Sequence, residues 1–112
     1  MITIKGRIPS KKNSRRMLAN GMNIPSLNYK NWHTDASWQL KGASKIPNGS
    51  WLVLKFYMPD NRRTDLTNKA ESIMDCLVDN GILEDDSCQV IPNLTLIFKE
   101  VDKKNPRCEI EW

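Results

Sequence analysis

The sequence has few of the residues that build zinc sites and disulfide frameworks. Its 112 residues include one histidine, His33, and three scattered cysteines, Cys76, Cys88 and Cys108, with no Cys-x-x-Cys pair. An odd number of scattered cysteines indicates reduced thiols in a cytosolic protein. A single histidine excludes zinc sites of the Cys/His type. We interpret His33 as a surface residue of a helix rather than as a catalytic base.

Long apolar runs and internal repeats are also missing. The first residues, Met1–Gly6, lack the apolar core of a signal peptide, and no run is long enough for a membrane span. These absences predict a cytoplasmic protein, and the length predicts a single domain over residues 1–112. The net charge of +4 leans towards a polyanionic partner, although simple solubility explains it about equally well.

Short alternating or apolar runs predict the strands. Strands are expected at Ile2–Lys5, Trp51–Met58, Leu94–Lys99 and Cys108–Trp112. Asn20-Gly21 stands between two further extended runs, and Asn-Gly in this position predicts a tight hairpin.

Two segments predict helices. The first runs from about Leu27 to about Ala43, with Ser26 as its capping residue. The second runs from about Leu66 to about Asn80, with Gly81 just past its end. The elements therefore follow the order strand, hairpin, helix, strand, helix, strand, strand. This order predicts an α/β or α+β fold in which two helices cover a small mixed sheet.

Acidic residues stand at both ends of the second predicted helix. Asp65 opens the helix, and Asp85 and Asp86 follow Gly81. Carboxylates grouped in this way can hold a hard divalent cation. Each also has a plain structural explanation, because Asp is a preferred N-cap residue and an acidic pair suits a surface loop.

A stripe of side chains four residues apart runs along the same helix. It consists of Thr67, Glu71 and Asp75, and it is either a solvated edge or a source of further metal ligands. Mg²⁺ usually takes one or two carboxylates, with water and substrate phosphate completing its shell. The candidate metal ligands are Asp65, Glu71, Asp75, Asp85 and Asp86.

The length of the helix decides whether the acidic residues at its two ends can meet. A helix of about 15 residues is about 22 Å long, whereas the chain from Gly81 to Asp86 spans at most about 20 Å when extended. Asp86 therefore reaches Asp65 only if the chain returns along the helix. Glu71 and Asp75 are easier for Asp86 to reach, and the sequence leaves the geometry open.

Two basic clusters accompany the acidic residues. Arg62 and Arg63 come just before Asp65 and can hold phosphate next to a metal. The second cluster consists of Lys11, Lys12, Arg15 and Arg16. For this turn-rich segment, a solvated loop and a contact with a phosphate backbone are about equally good explanations.

Three segments match a known family: Ile8–Asn13, Arg63–Asn68 and Gly81–Ser87. Through them the chain resembles the RusA family of Holliday junction resolvases, in particular its phage-borne branch. The resemblance implies a small mixed α/β fold, an intertwined homodimer and a prophage origin. It also implies a Mg²⁺-dependent endonuclease, with Mn²⁺ as an alternative metal, that resolves four-way DNA junctions by paired nicks in recombination and repair. No membrane and no small-molecule cofactor would be involved.

The family motif has aspartates at the positions of Asp65, Thr67 and Asp86 and a lysine at that of Glu71. Asp65 and Asp86 match, whereas Thr67 and Glu71 differ. Glu71 lies one turn beyond Thr67 on the same stripe and could restore the lost carboxylate. The resemblance thus implies catalytic roles for Asp65, Asp86 and Glu71.

The resemblance also implies a set of DNA contacts. The expected contacts come from Lys11, Lys12, Asn13, Arg15, Arg16, Arg62, Arg63 and Lys69. Lys69 or Lys11 would stand in for the lysine that the family has at the position of Glu71.

Two other functions stay open at this point. A protein of the same fold could bind branched DNA without cutting it, and a cleavage assay with and without Mg²⁺ separates these two. The other alternative is an interaction domain without nucleic acid, whose acidic residues are only caps and loops. A steep fall of DNA binding with salt would exclude that alternative.

Overall fold

The structure is a computed structural model that describes residues 1–10, 15–17 and 23–112. For the two short strands at 15–17 and 23–25, the description covers the backbone. The predicted Asn20-Gly21 turn lies outside the described residues.

The elements follow the predicted order. In chain order they are β1 (Ile2–Lys5), β2 (Arg15–Met17), β3 (Asn23–Pro25), α1 (Leu27–Gln39), β4 (Trp51–Met58), α2 (Leu66–Asp79), β5 (Asn93–Val101) and β6 (Arg107–Glu111). β2 and β3 pair antiparallel, as the two strands of the predicted hairpin should.

A four-stranded mixed sheet forms the centre of the fold, with the strand order β1-β6-β4-β5. β4 and β5 are parallel, because the chain crosses back through α2 between them. β6 is antiparallel to both of its neighbours, β1 and β4. Two helices on a mixed sheet give an α+β fold, as the sequence predicts.

The alternation of β4 explains which face of the sheet carries the core. Leu52, Leu54 and Phe56 are fully buried on one face. The side chains on the opposite face are exposed or partly buried, and there Lys55 Nζ lies 2.9 Å from Glu111 Oε1. Because successive side chains of a strand point to opposite faces, this pattern places both helices on the side of Leu52.

The first helix ends earlier than predicted. The backbone N–H of Tyr29 donates to Ser26 Oγ at 3.2 Å, which confirms the predicted cap. α1 stops at Gln39 rather than near Ala43, because the chain turns at Gly42, whose φ of +83° lies in the left-handed region.

The last two strands also differ from prediction in their bounds. β5 begins one residue earlier and ends two later than the predicted Leu94–Lys99, and β6 is shifted back by one residue. β4 sets the length of β5, because β5 pairs with β4 along its whole length. Lys99 forms a β-bulge, an extra residue between Phe98 and Glu100.

The two helices contact each other through polar side chains. His33 is partly exposed on α1, and its Nε2 lies 2.9 Å from Asp79 Oδ2 on α2. The Nδ2 of Asn80 donates to Ser37 Oγ at 3.0 Å. His33 is therefore a helix-surface residue, as predicted.

All three cysteines are free, with Cys76 and Cys108 buried and Cys88 exposed. Within the described part of the chain, neither helix has the length and apolar character that crossing a membrane requires.

Candidate functional site

Asp65 lies at the start of α2 with its carboxylate turned to solvent. The residue holds the N-cap position, with φ −89° and ψ 121°, but its side chain makes no capping hydrogen bond. Asn68 Nδ2 lies at a long distance, 3.5 Å, from Asp65 Oδ2. Asp65 therefore holds the N-cap position that its sequence context predicts, but its side chain does not cap the helix. The exposed carboxylate faces solvent, where a ligand can reach it.

A small basic cavity of about 130 Å³ adjoins Asp65 at the carboxyl end of β4. Its charged lining consists of Arg7, Asp60, Arg62, Arg63 and Lys69. Four of these five side chains are cations. The cavity thus has the charge that an anion such as a phosphate group would need.

Asp60 holds two of these arginines in place. Its Oδ2 lies 3.2 Å from Arg7 Nη1 and 3.5 Å from Arg62 Nε, and its Oδ1 accepts from the backbone N–H of Arg62 at 3.0 Å. The backbone hydrogen bond from Arg62 and the two nearby guanidinium groups lower the pKa of Asp60. The carboxylate therefore stays charged near neutral pH and orients both arginines along the cavity wall.

Lys69 and Ser72 tie the segment that follows β1 to the face of α2. Lys69 Nζ donates to the carbonyl oxygen of Ile8, and Ser72 Oγ donates to that of Pro9 at 2.7 Å. Burial, together with the nearby charge of Arg7, lowers the pKa of Lys69. An anion bound in the cavity would stabilise the charged form of this lysine.

We expect Ser72→Ala to destabilise the fold. Ser72 is fully buried, and its loss leaves the Pro9 carbonyl without this donor, at a cost of about 1–3 kcal/mol in unfolding free energy. Ser50→Ala is the matched control, because Ser50 Oγ also donates to a proline carbonyl, that of Pro47, but in an exposed position. Urea unfolding of both variants measures the difference. Equal stability losses would mean that the Ser72 bond does not anchor the segment.

The predicted stripe lies on a different side of α2. Glu71 is exposed, whereas Asp75 is partly buried. Burial raises the pKa of Tyr29, and the neighbouring Asp75 charge raises it further, which places Asp75 near α1. At 100° and 1.5 Å per residue, Glu71 lies about 9 Å along the helix from Asp65 and about 120° around it.

Asp85 and Asp86 lie in the loop that leads from α2 to β5, and both are exposed. Contacts on both sides fix this loop at the start of β4. Before the acidic pair, Asn48 Nδ2 donates to Glu84 Oε2. After it, the backbone N–H of Gly49 donates to the Val90 carbonyl at 2.7 Å.

Asp65 and Asp86 therefore lie at opposite ends of α2 in the chain. The 14 residues of α2 span about 20 Å, and the loop does not return along the helix. Among the described residues, no group of three Asp, Glu, His or Cys side chains is close enough to hold a metal. The carboxylates of Asp65 and Asp86 suit Mg²⁺ chemically, but the fold of the single chain does not bring them together.

The predicted DNA contacts fall into two groups. Lys11, Lys12 and Asn13 lie outside the described residues. Arg15 and Arg16 belong to β2, for which the backbone is described. By contrast, Arg62, Arg63 and Lys69 all line the basic cavity, so the structure brings these three together beside Asp65.

Sequence reasoning missed two residues of this site, Arg7 and Asp60. Arg7 is a single cation after Gly6, and Asp60 resembles an ordinary turn residue after β4. The ion pair between them forms because β1 and β4 lie in one sheet, and no local sequence pattern predicts it. The only sequence signal was the density of charge from Asp60 to Asp65.

Comparison with known protein families gives one match. The family model described as endodeoxyribonuclease RusA matches residues 6–111, which is nearly the whole chain. A search of curated proteins gives no match.

Proposed function

This chain belongs to the RusA endodeoxyribonuclease family, and we propose that it nicks four-way DNA junctions in a Mg²⁺-dependent reaction. One observation carries the proposal. The exposed carboxylate of Asp65 makes no capping hydrogen bond, and it lies beside a cavity lined by four cations. A carboxylate that can hold a metal and cations that can hold a phosphate are thus adjacent. Phosphodiester hydrolysis requires both.

The basic cavity would position one backbone phosphate. Arg7 and Arg62 are oriented by Asp60, so their guanidinium groups are already held when DNA arrives. Arg63 is exposed and Lys69 is half-buried in the wall. A phosphate placed here lies next to Asp65, and contacts of this kind with the backbone position the DNA without reading its sequence.

Asp65 and Asp86 are the proposed metal ligands. Both carboxylates are exposed, and oxygen ligands of this type are those that Mg²⁺ prefers, with Mn²⁺ as an alternative. The bound cation would supply Lewis-acid charge and lower the pKa of a water molecule. Asp85, which is exposed and adjacent to Asp86, would act as a further ligand or orient the water around the metal, whereas Asp75 lies near α1.

Two protomers would be needed to complete this site. Asp65 and Asp86 lie at opposite ends of α2, so a site that contains both takes Asp65 from one protomer and Asp86 of the partner subunit. A two-fold dimer would then hold two such sites. Two symmetric sites match the two-fold symmetry of a four-way junction and would give paired nicks.

Glu71 is proposed to replace the carboxylate that Thr67 lacks. Side chains on a helix lean towards its N-terminus, so Glu71 reaches back towards the position of Thr67. We expect Glu71→Gln to lower junction nicking nearly as much as Asp65→Asn. The double variant Thr67→Asp with Glu71→Lys should recover the activity that Glu71→Lys loses. Full activity of Glu71→Gln would contradict this role.

Nicking of a synthetic four-way junction with and without Mg²⁺ tests the proposed function. We expect nicks in opposite strands that depend on the metal and are absent from a linear duplex of the same sequence. Binding of the junction without nicking would instead favour a branched-DNA-binding protein of the same fold. DNA binding that does not weaken with salt would argue against contacts between this protein and the phosphate backbone.

A further inference from the structure

A second cavity, of about 600 Å³, lies between the carboxyl ends of α1 and α2. Its lining comes from the last turns of α1, from the loop that follows this helix, and from residues 80–82 just past α2. It is therefore at the opposite end of α2 from the basic cavity beside Asp65. Pockets that bind small ligands have volumes of about 300–1,000 Å³, so this cavity has room for a ligand.

Hydrogen bonds between the elements around this cavity fix its walls. The backbone N–H of Ile46, in the loop after α1, donates to the Ile82 carbonyl at 2.8 Å. Asn80 Nδ2, just past α2, donates to Ser37 Oγ on α1 at 3.0 Å. Because these contacts hold the walls before a ligand arrives, binding would lose little free energy to ordering.

Trp38 supplies an aromatic surface at the wall of the cavity. The side chain is 67% exposed, so its ring lacks most of the burial that tryptophan usually gains in a fold. Lys41 Nζ lies over the ring, 4.7 Å from its centroid, in a cation–π contact that restrains both side chains. With two thirds of the side chain exposed, ring surface remains for a second flat group.

Positive charge surrounds this aromatic ring. Lys41 and Lys45 both line the cavity and are exposed, and among its described lining residues none is acidic. The nearby carboxylate of Asp79 is engaged by His33, whose Nε2 lies 2.9 Å from Asp79 Oδ2. An aromatic platform beside cations is the combination that holds a nucleotide, because the base stacks and the phosphate is paired.

We propose that this cavity binds an unpaired nucleotide of single-stranded DNA, with its base stacked on Trp38 and its phosphate between Lys41 and Lys45. A base inside a duplex is stacked on both sides by its neighbours, so only an unpaired base offers a face to the ring. DNA is the fitting source, because the chain belongs to a family of endodeoxyribonucleases. The binding would be independent of sequence, since every base has a flat π-face.

Fluorescence anisotropy of a short labelled oligothymidylate, measured without divalent metal, tests the stacking. We expect Trp38→Ala to weaken binding by about 5- to 100-fold and Trp38→Phe to retain most of the affinity. Trp51→Ala is the matched control, because Trp51 is 69% exposed on β4, outside the cavity, and should bind as the wild type does. Wild-type affinity in Trp38→Ala, or an equal loss in Trp51→Ala, would overturn the proposal.

The salt dependence of the same binding tests the phosphate contact. Lys45→Gln should make the slope of log affinity against log salt shallower by about 0.7, whereas Lys103→Gln, in the exposed turn after β5, should leave it unchanged. An unchanged slope in Lys45→Gln would overturn the contact.

Two competitors establish which form of nucleotide the cavity takes. Thymidine monophosphate should displace the labelled strand far less well than unlabelled oligothymidylate does, and equal displacement would mean that the ligand is a free nucleotide. A linear duplex should bind Trp38→Ala and the wild type equally well, and a loss as large as that for the single strand would contradict the requirement for an unpaired base. Because no metal is present, these outcomes do not depend on whether the protein nicks junctions.

Discussion

Asp65→Asn should lower the nicking of a four-way junction by at least about 100-fold, because even residues that only support a metal ligand contribute 10–100-fold. The stability of the fold should change little. The Asp65 side chain makes no capping hydrogen bond, so the variant loses only a favourable charge at the helix start, worth about 0.3–1 kcal/mol. Single-turnover nicking and thermal unfolding of the same preparation measure both effects.

Asp35→Asn is the matched control for this variant. Asp35 is an exposed carboxylate on α1 that accepts a hydrogen bond from Gln39, away from the basic cavity. It should nick at the wild-type rate. If Asp65→Asn also nicked at that rate, Asp65 would have no part in the chemistry.

Asp86→Asn should abolish Mg²⁺-dependent nicking to a similar extent while leaving the fold intact. Asp86 is exposed and lies between two contacts that hold its loop, the Asn48–Glu84 side-chain bond and the Gly49–Val90 backbone bond. Neither contact involves Asp86, so the loop should keep its place. Junction binding without metal should also persist, because the arginines of the basic cavity are unchanged.

Calcium provides the decisive comparison for Asp86→Asn. Ca²⁺ usually binds oxygen ligands without supporting the Mg²⁺ reaction geometry, so Ca²⁺-stimulated junction binding reports on the metal site apart from cleavage. We expect this stimulation in the wild type and its loss in Asp86→Asn. Wild-type nicking by the variant would remove Asp86 from the mechanism.

Local sequence patterns predicted most of the fold. The alternating run Trp51–Met58 and the start of α2 were placed correctly because each carries its own periodicity. The end of α1 was predicted too late, because the prediction continued past Gly42, where the chain turns. β5 was predicted too short, because its ends are set by pairing with β4 rather than by its own residues.

The site was less accessible to prediction, because it depends on contacts between distant parts of the chain. The motif around Arg62, Arg63 and Asp65 correctly indicated the N-terminal end of α2 as the place of the basic cavity. Nothing local indicated that Arg7 would reach Asp60 across the sheet. The length of α2 alone did not show where Asp86 lies. The contacts between its loop and the start of β4 determine the position of Asp86.

Mixing two inactive variants is the most direct test of the central claim that each site takes Asp65 from one protomer and Asp86 of the partner subunit. Asp65→Asn and Asp86→Asn are unfolded together in equal amounts, refolded, and assayed for single nicks in a four-way junction. Half of the resulting dimers should be mixed, and each mixed dimer holds one intact site, so nicking should return to about a quarter of the wild-type level. Activity no higher than that of the separate variants, in a preparation where mixed dimers are present, would mean that each site lies within one protomer.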